Sequence, residues 1–174
     1  MRVGKLVAVV GVTACVLGAG SAAVAAATPQ GGKISVFVTN TSATNGKILI
    51  TGAIGDYGTT VSQDANGKVD PNGAFQKVTL KQGGFIVNAT ALDKKINSSK
   101  PAVNKATCSV VDSTTGPVTI GDGTGAYAGI TGKVAITVTF GGILPKTAKG
   151  CNLGNNAKLS GNYESIVGTG SVSF

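Results

Sequence analysis

Short runs in which apolar and polar residues alternate, separated by glycine, asparagine and proline, fill most of the chain beyond residue 28. Lys133–Phe140 is the clearest. Val134, Ile136, Val138 and Phe140 fall on one face of an extended strand, with Thr137 and Thr139 on the other. Ile34, Val36 and Val38 alternate with Ser35 and Thr39. Ile48 with Ile50, Val78 with Leu80, Cys108 with Val110, and Val118 with Ile120 repeat the period more briefly. Gly170, Val172 and Phe174 place a strand at the C-terminus. Asn45-Gly46, Asn66-Gly67, Asn72-Gly73 and Gly141-Gly142 are suited to the positive φ of tight turns. No window of residues 28–174 sustains helical spacing. The pattern predicts an all-β domain of roughly eight to ten short strands, a sandwich or a barrel.

Two stretches break the rhythm. Asp93–Asn104, with Lys94, Lys95, Lys100 and Pro101, reads as a solvated excursion. Leu144–Asn156, with Pro145, Lys146, Lys149, Cys151 and Asn155-Asn156, reads as a second long loop. Five Phe, three Tyr and no Trp leave a small aromatic core, and 27 glycines supply much of the rest. Glycine inside a strand marks corners and close backbone approach, which a closing barrel needs. The expectation therefore tilts from a sandwich toward a barrel.

Residues 1–27 have the form of a cleaved secretory signal: Arg2 and Lys5, then apolar Leu6–Gly20, then Ala25-Ala26-Ala27 as the cleavage site. Two alternatives stay open. One is an uncleaved membrane anchor. The other is a lipoprotein-type box at Val12-Thr13-Ala14-Cys15, although the residues after Cys15 remain apolar. The expected organisation is a signal over 1–27 and a single domain over 28–174, secreted or held at the cell envelope. Without the signal, 13 lysines face seven carboxylates and two cysteines remain, Cys108 and Cys151. Export favours their disulfide over two buried thiols. That bond closes a loop of 44 residues counting both ends, which chain-entropy arithmetic values at about 4 kcal/mol.

Much chemistry is absent. The chain has no His, so the commonest general base and zinc ligand are missing. Its one arginine is Arg2, in the signal, and its one glutamate is Glu164. No His activates a Ser or Thr, and no G-x-S-x-G turn occurs. Asp64-x-Asn66-Gly67-x-x-Asp70-x-Asn72-Gly73 lacks the alternating ligands and terminal Glu of a calcium loop, and reads as two hairpin turns. No metal site is expected. Gly123-x-Gly125-x-x-Ala128 imitates a dinucleotide fingerprint, but a strand follows it where that motif requires a helix. No cofactor is expected.

The densest motif is the run containing Gly121, Gly123, Gly125, Gly129 and Gly132, read as a turn joining Val118–Ile120 to Val134–Phe140. Its core, Gly-Thr-Gly-Ala-Tyr-Ala-Gly-Ile-Thr-Gly over 123–132, resembles the glycine-rich signature of the allene oxide cyclase barrel-like group, which includes the dirigent proteins. Gly52-Ala53-Ile54-Gly55-Asp56-Tyr57-Gly58 is similar to that group's early glycine-rich strand. The resemblance implies a calycin-like, eight-stranded antiparallel barrel with an apolar cavity, and homo-oligomers such as the trimers of the plant members. It transfers no catalytic residue: the mature chain has no arginine and one glutamate for the polar groups those pockets use.

Three functions remain. The first is a non-catalytic exported barrel holding a small apolar ligand or associating with the envelope. The second is a cyclase- or dirigent-type pocket that steers a reactive intermediate without a cofactor. The third is a structural surface protein with a solid core. A carboxylate or tyrosine aimed into a cavity separates the second from the first, and the candidates are Asp56, Tyr57, Tyr127 and Glu164. The sequence does not decide whether the chain is an enzyme. Lys94, Lys95, Lys100 and Lys105 form a candidate patch for anionic envelope polymers. Nucleic acid is not expected, because arginine is lacking and aromatics do not interleave with the lysines.

Overall fold

The structure is a computed structural model describing residues 30–154 and 157–174. The expected signal over 1–27, Cys15 within it, and Asn155-Asn156 of the second loop lie outside the described residues. In chain order the elements are β1 (Gly32–Asn40), β2 (Asn45–Gly52), β3 (Asp56–Gln63), β4 (Phe75–Leu80), β5 (Gly83–Asn88), α1 (Thr90–Ser98), β6 (Ala102–Asn104), β7 (Ser109–Gly125), β8 (Thr131–Ile143), β9 (Lys146–Thr147), β10 (Gly150–Cys151) and β11 (Gly161–Ser173). β1 to β5 are linked as an antiparallel meander. β5 pairs with β7, β7 with β8, β8 with β11 and β11 with β1, so eight strands close into an antiparallel barrel. Closure leaves none of these eight strands as an edge of the sheet.

The alternating positions do what their period requires. Ile34 and Val36, Ile48 and Ile50, Val78 and Leu80, Val118 and Ile120, and Val134 and Ile136 are all buried in one core. Burying such a side chain stabilises by about 1.5–3 kcal/mol. Val110, Val118 and Ile120 belong to one strand of 17 residues rather than two short ones. β7 is long because it serves two partners: Ala102–Asn104 of β6 at its start and Gly83–Asn88 of β5 at its end.

Residues 112–118 of β7, between those partners, are covered by α1. Lys95 Nζ donates to the Thr115 carbonyl at 3.2 Å, and Ser99 Oγ donates to Asp112 Oδ2. Gly116 lets the helix approach, since a Cβ there would lie 3.0 Å from Leu92 Cα. This corrects the expectation of a solvated excursion over Asp93–Asn104. The helical signal is one apolar pair, buried Leu92 and partly buried Ile96, too short to register as a period.

Two glycine dipeptides expected in turns lie inside strands. Gly46 is buried in β2, and the hairpin turn is Thr41–Thr44, where Thr41 N–H donates to the Asn45 carbonyl at 2.8 Å. Gly141-Gly142 sits within β8, and Leu159 packs where a side chain on Gly142 would stand. Asn66-Gly67 and Asn72-Gly73 do form turns, with Asp64 Oδ1 and Asp70 Oδ1 accepting the Asn66 and Asn72 N–H groups at 2.8 Å. Cys108 and Cys151 are disulfide-bonded, their sulfurs 2.05 Å apart. The bond ties the small β9–β10 hairpin, which forms within the expected second loop, to the start of β7.

Candidate functional site

The two ends of the barrel differ. At one end, the glycine-rich turn after β7 folds inward and carries Tyr127, which is 1% exposed. The turn needs its glycines. A Cβ on Gly123 would fall 1.8 Å from the Tyr127 carbonyl oxygen, and Gly125 and Gly129 have φ of 63° and 83°. Tyr127 Oη donates to Asp56 Oδ2 at 2.7 Å. Asp56 is 5% exposed, and it also accepts the backbone N–H groups of Tyr57 at 2.7 Å and Gln82 at 3.1 Å. Burial pushes the Asp56 carboxyl up, but the Tyr127 hydroxyl and the surrounding backbone N–H groups outweigh it and hold the group below the usual carboxylate range. Burial, then the bond to Asp56 and its charge, raise the Tyr127 phenol well above its ordinary value. The proton thus stays on tyrosine and the charge on aspartate. With Phe85 edge-on to Tyr127 at 6.0 Å, the pair forms a plug.

Above Phe85 the barrel is hollow. A cavity of about 390 Å³ runs to the opposite end, the end of the Thr41–Thr44 turn. Its wall is aliphatic, chiefly Val36, Ile50, Val78, Val118, Ile120 and Ile136, and Phe85 forms part of it on the side of the plug. Near the mouth it turns polar. Asn40, Thr60, Ser62, Gln76, Asp93 and Glu164 line it there, with Leu92 and Ile96 contributed by α1. Glu164 is exposed, and its Oε2 accepts from Asn40 Nδ2 at 2.8 Å. Burial raises the Asp93 carboxyl above its usual value.

The four sequence candidates therefore separate. Asp56 and Tyr127 meet, but they close the sealed end and do not line the cavity. Tyr57 is 57% exposed on the outer wall, its ring beneath Lys81 Nζ at 5.2 Å from the centroid. Only Glu164 lines the cavity. Asp93 joins it there, a residue read from sequence as part of a loop; the helix that positions it left almost no period to read. Lys94, Lys95, Lys100 and Lys105 are exposed along α1 and the segments that follow, outside the cavity. Among the described residues, no group of three His, Cys, Asp or Glu side chains is placed to hold a metal ion. The chain matches no protein-family model, no curated protein and no solved structure.

Proposed function

We propose that this chain is an exported binding protein that holds a small apolar ligand in its barrel. The observation that carries the reading is the cavity of about 390 Å³, aliphatic in its depth and polar at its mouth. Ligand sites are typically apolar clefts of about 300–1,000 Å³ with a few polar groups that fix orientation. A barrel with a filled interior would have no such space, so the cavity weighs against the solid structural protein. The disulfide supports export. Eight-stranded closure and the inward-folding glycine turn support the likeness to the allene oxide cyclase barrel-like group, and with it an apolar cargo. A catalytic pocket of that kind would have to work with the two carboxylates at the mouth, Glu164 and Asp93, because Asp56 and Tyr127 are committed to each other.

A Val36→Phe variant tests the reading. Val36 is buried and lines the cavity, so the larger ring enters open space. Overfilling a packed core costs about 1–3 kcal/mol; here the loss is expected below about 1 kcal/mol, while affinity for a fluorescent apolar probe falls at least about tenfold. A probe that does not bind wild type, or binds the variant equally well, refutes the proposal.

A second reading, association with anionic envelope polymers, gains one observation. Lys33, Lys47, Lys77, Lys81 and Lys133 are exposed on β1, β2, β4, the residue after β4, and β8. With the loop lysines they surround the barrel with positive charge. Retention on an anionic polysaccharide that weakens steeply with salt supports it; salt-independent passage through the column refutes it.

A further inference from the structure

The mouth of the cavity has one sign of charge. The charged residues lining it are Asp93 and Glu164, and no lysine is among them, although the chain carries 15 cationic residues to 7 anionic. Asn40 commits its amide nitrogen to Glu164. Its Oδ1 packs with Thr60 Oγ1 over buried Gly46, where an added Cβ would stand 3.2 Å from Asn40 Oδ1 and 2.7 Å from Thr60 Oγ1. Thr60 lines the cavity at 6% exposure, and its hydroxyl has no hydrogen-bond partner among the described side-chain bonds. That hydroxyl is accessible from the cavity and can accept or donate a hydrogen bond. Asn40 and Thr60 therefore stand side by side in the cavity wall, with the Glu164 carboxylate bonded to the same Asn40. A cationic head group seated here meets two carboxylates, whereas a carboxylate or phosphate would meet like charge with no cation to offset it.

We infer that the cavity takes a short apolar tail carrying an ammonium head, held at the mouth by Glu164, Asp93, Asn40 and Thr60, and that it rejects carboxylate-headed amphiphiles such as fatty acids. This rests on the binding reading above and names its ligand class. The tail occupies the aliphatic depth, each methylene contributing through burial. The head supplies the positive charge that the mouth lacks, and its N–H groups can donate to the Glu164 and Asp93 carboxylates that line it.

Isothermal titration of the disulfide-intact protein with decylammonium, decanol and decanoate, each below its micelle-forming concentration at neutral pH, tests the inference. Decylammonium is expected to bind at least about tenfold more tightly than decanoate, with decanol between them. An Asp93→Asn, Glu164→Gln double variant is expected to bring the three within about threefold, and its undiminished decanol binding shows that the cavity is intact. Decanoate binding as tightly as decylammonium to wild type, or a preference for the amine that survives in the double variant, overturns the inference and leaves the apolar-binding reading standing. Failure of all three to bind overturns that reading, and this one with it.

Discussion

Replacing Tyr127 with Phe removes one oxygen and keeps the ring against Phe85. Asp56 then loses its only side-chain donor and keeps the backbone N–H groups of Tyr57 and Gln82. A hydrogen bond to a charged group contributes about 1.5–3 kcal/mol, so the expected loss at neutral pH is about 2 kcal/mol, or roughly 6–8 °C in Tm. The pH dependence identifies the cause. The Asp56 pKa is lowered on folding, so its contribution is present above the unfolded aspartate value of about 3.9 and is lost as pH falls through the lower folded value. The Tyr127 pKa is raised on folding, so its contribution is present below the unfolded tyrosine value of about 10 and is lost as pH rises beyond it. The penalty of Tyr127→Phe should therefore plateau between about pH 5 and 9 and shrink on both sides. Urea unfolding of both proteins across this range, disulfide intact, reads it directly. A penalty under about 0.5 kcal/mol at neutral pH, or one of equal size at pH 3 and 7, refutes the assignment of the plug to this bond.

Two glycines of one motif should behave oppositely. Gly123→Ala drives a Cβ onto the Tyr127 carbonyl and is expected to cost at least about 3 kcal/mol, whereas Gly121→Ala meets nothing within 4 Å and should be neutral or slightly stabilising in thermal melts. Replacing Cys108 and Cys151 together by Ser should lower stability by about 4 kcal/mol, and non-reducing peptide mapping of wild type should find the two residues linked. Asp93→Asn should stabilise slightly at neutral pH, by less than about 1 kcal/mol given solvent screening. Burial raises the Asp93 pKa, so its ionised form opposes folding above the unfolded value, and the gain should vanish in acid, as paired melts at pH 3 and 7 would show.

Where one face of a strand is buried and the other wet, the sequence is readable. β8 and β1 were legible for this reason, as was the inward set that closes the core. β5 was not: Phe85-Ile86-Val87 is a continuous apolar run with no alternation, yet its pairing with β7 closes the ring. Glycine misled in one direction, since the same residue permits a turn at Gly67 and a close approach at Gly46 or Gly142. Asp56 and Tyr127 could each be named as candidates, but they stand 71 positions apart, and only closure of the barrel reveals that they satisfy each other. Asp93 was hidden because a nine-residue helix with one fully buried side chain has too little pattern to announce itself.

A ring of strands has no first or last member. Among the described residues, the backbone ladder is open on one side along residues 161–165 of β11 beyond the end of β1, along residues 121–125 of β7 beyond the end of β8, along three-residue β6 and along the β9–β10 hairpin, while α1 shields residues 112–118 of β7. None of these unshielded borders is longer than five residues, which offers little template for another chain to extend. A polypeptide this rich in β-forming segments and glycine is thereby guarded against fibrillar assembly by its geometry. Cutting or unzipping the β5–β7 seam would remove that protection before it removed much of the core.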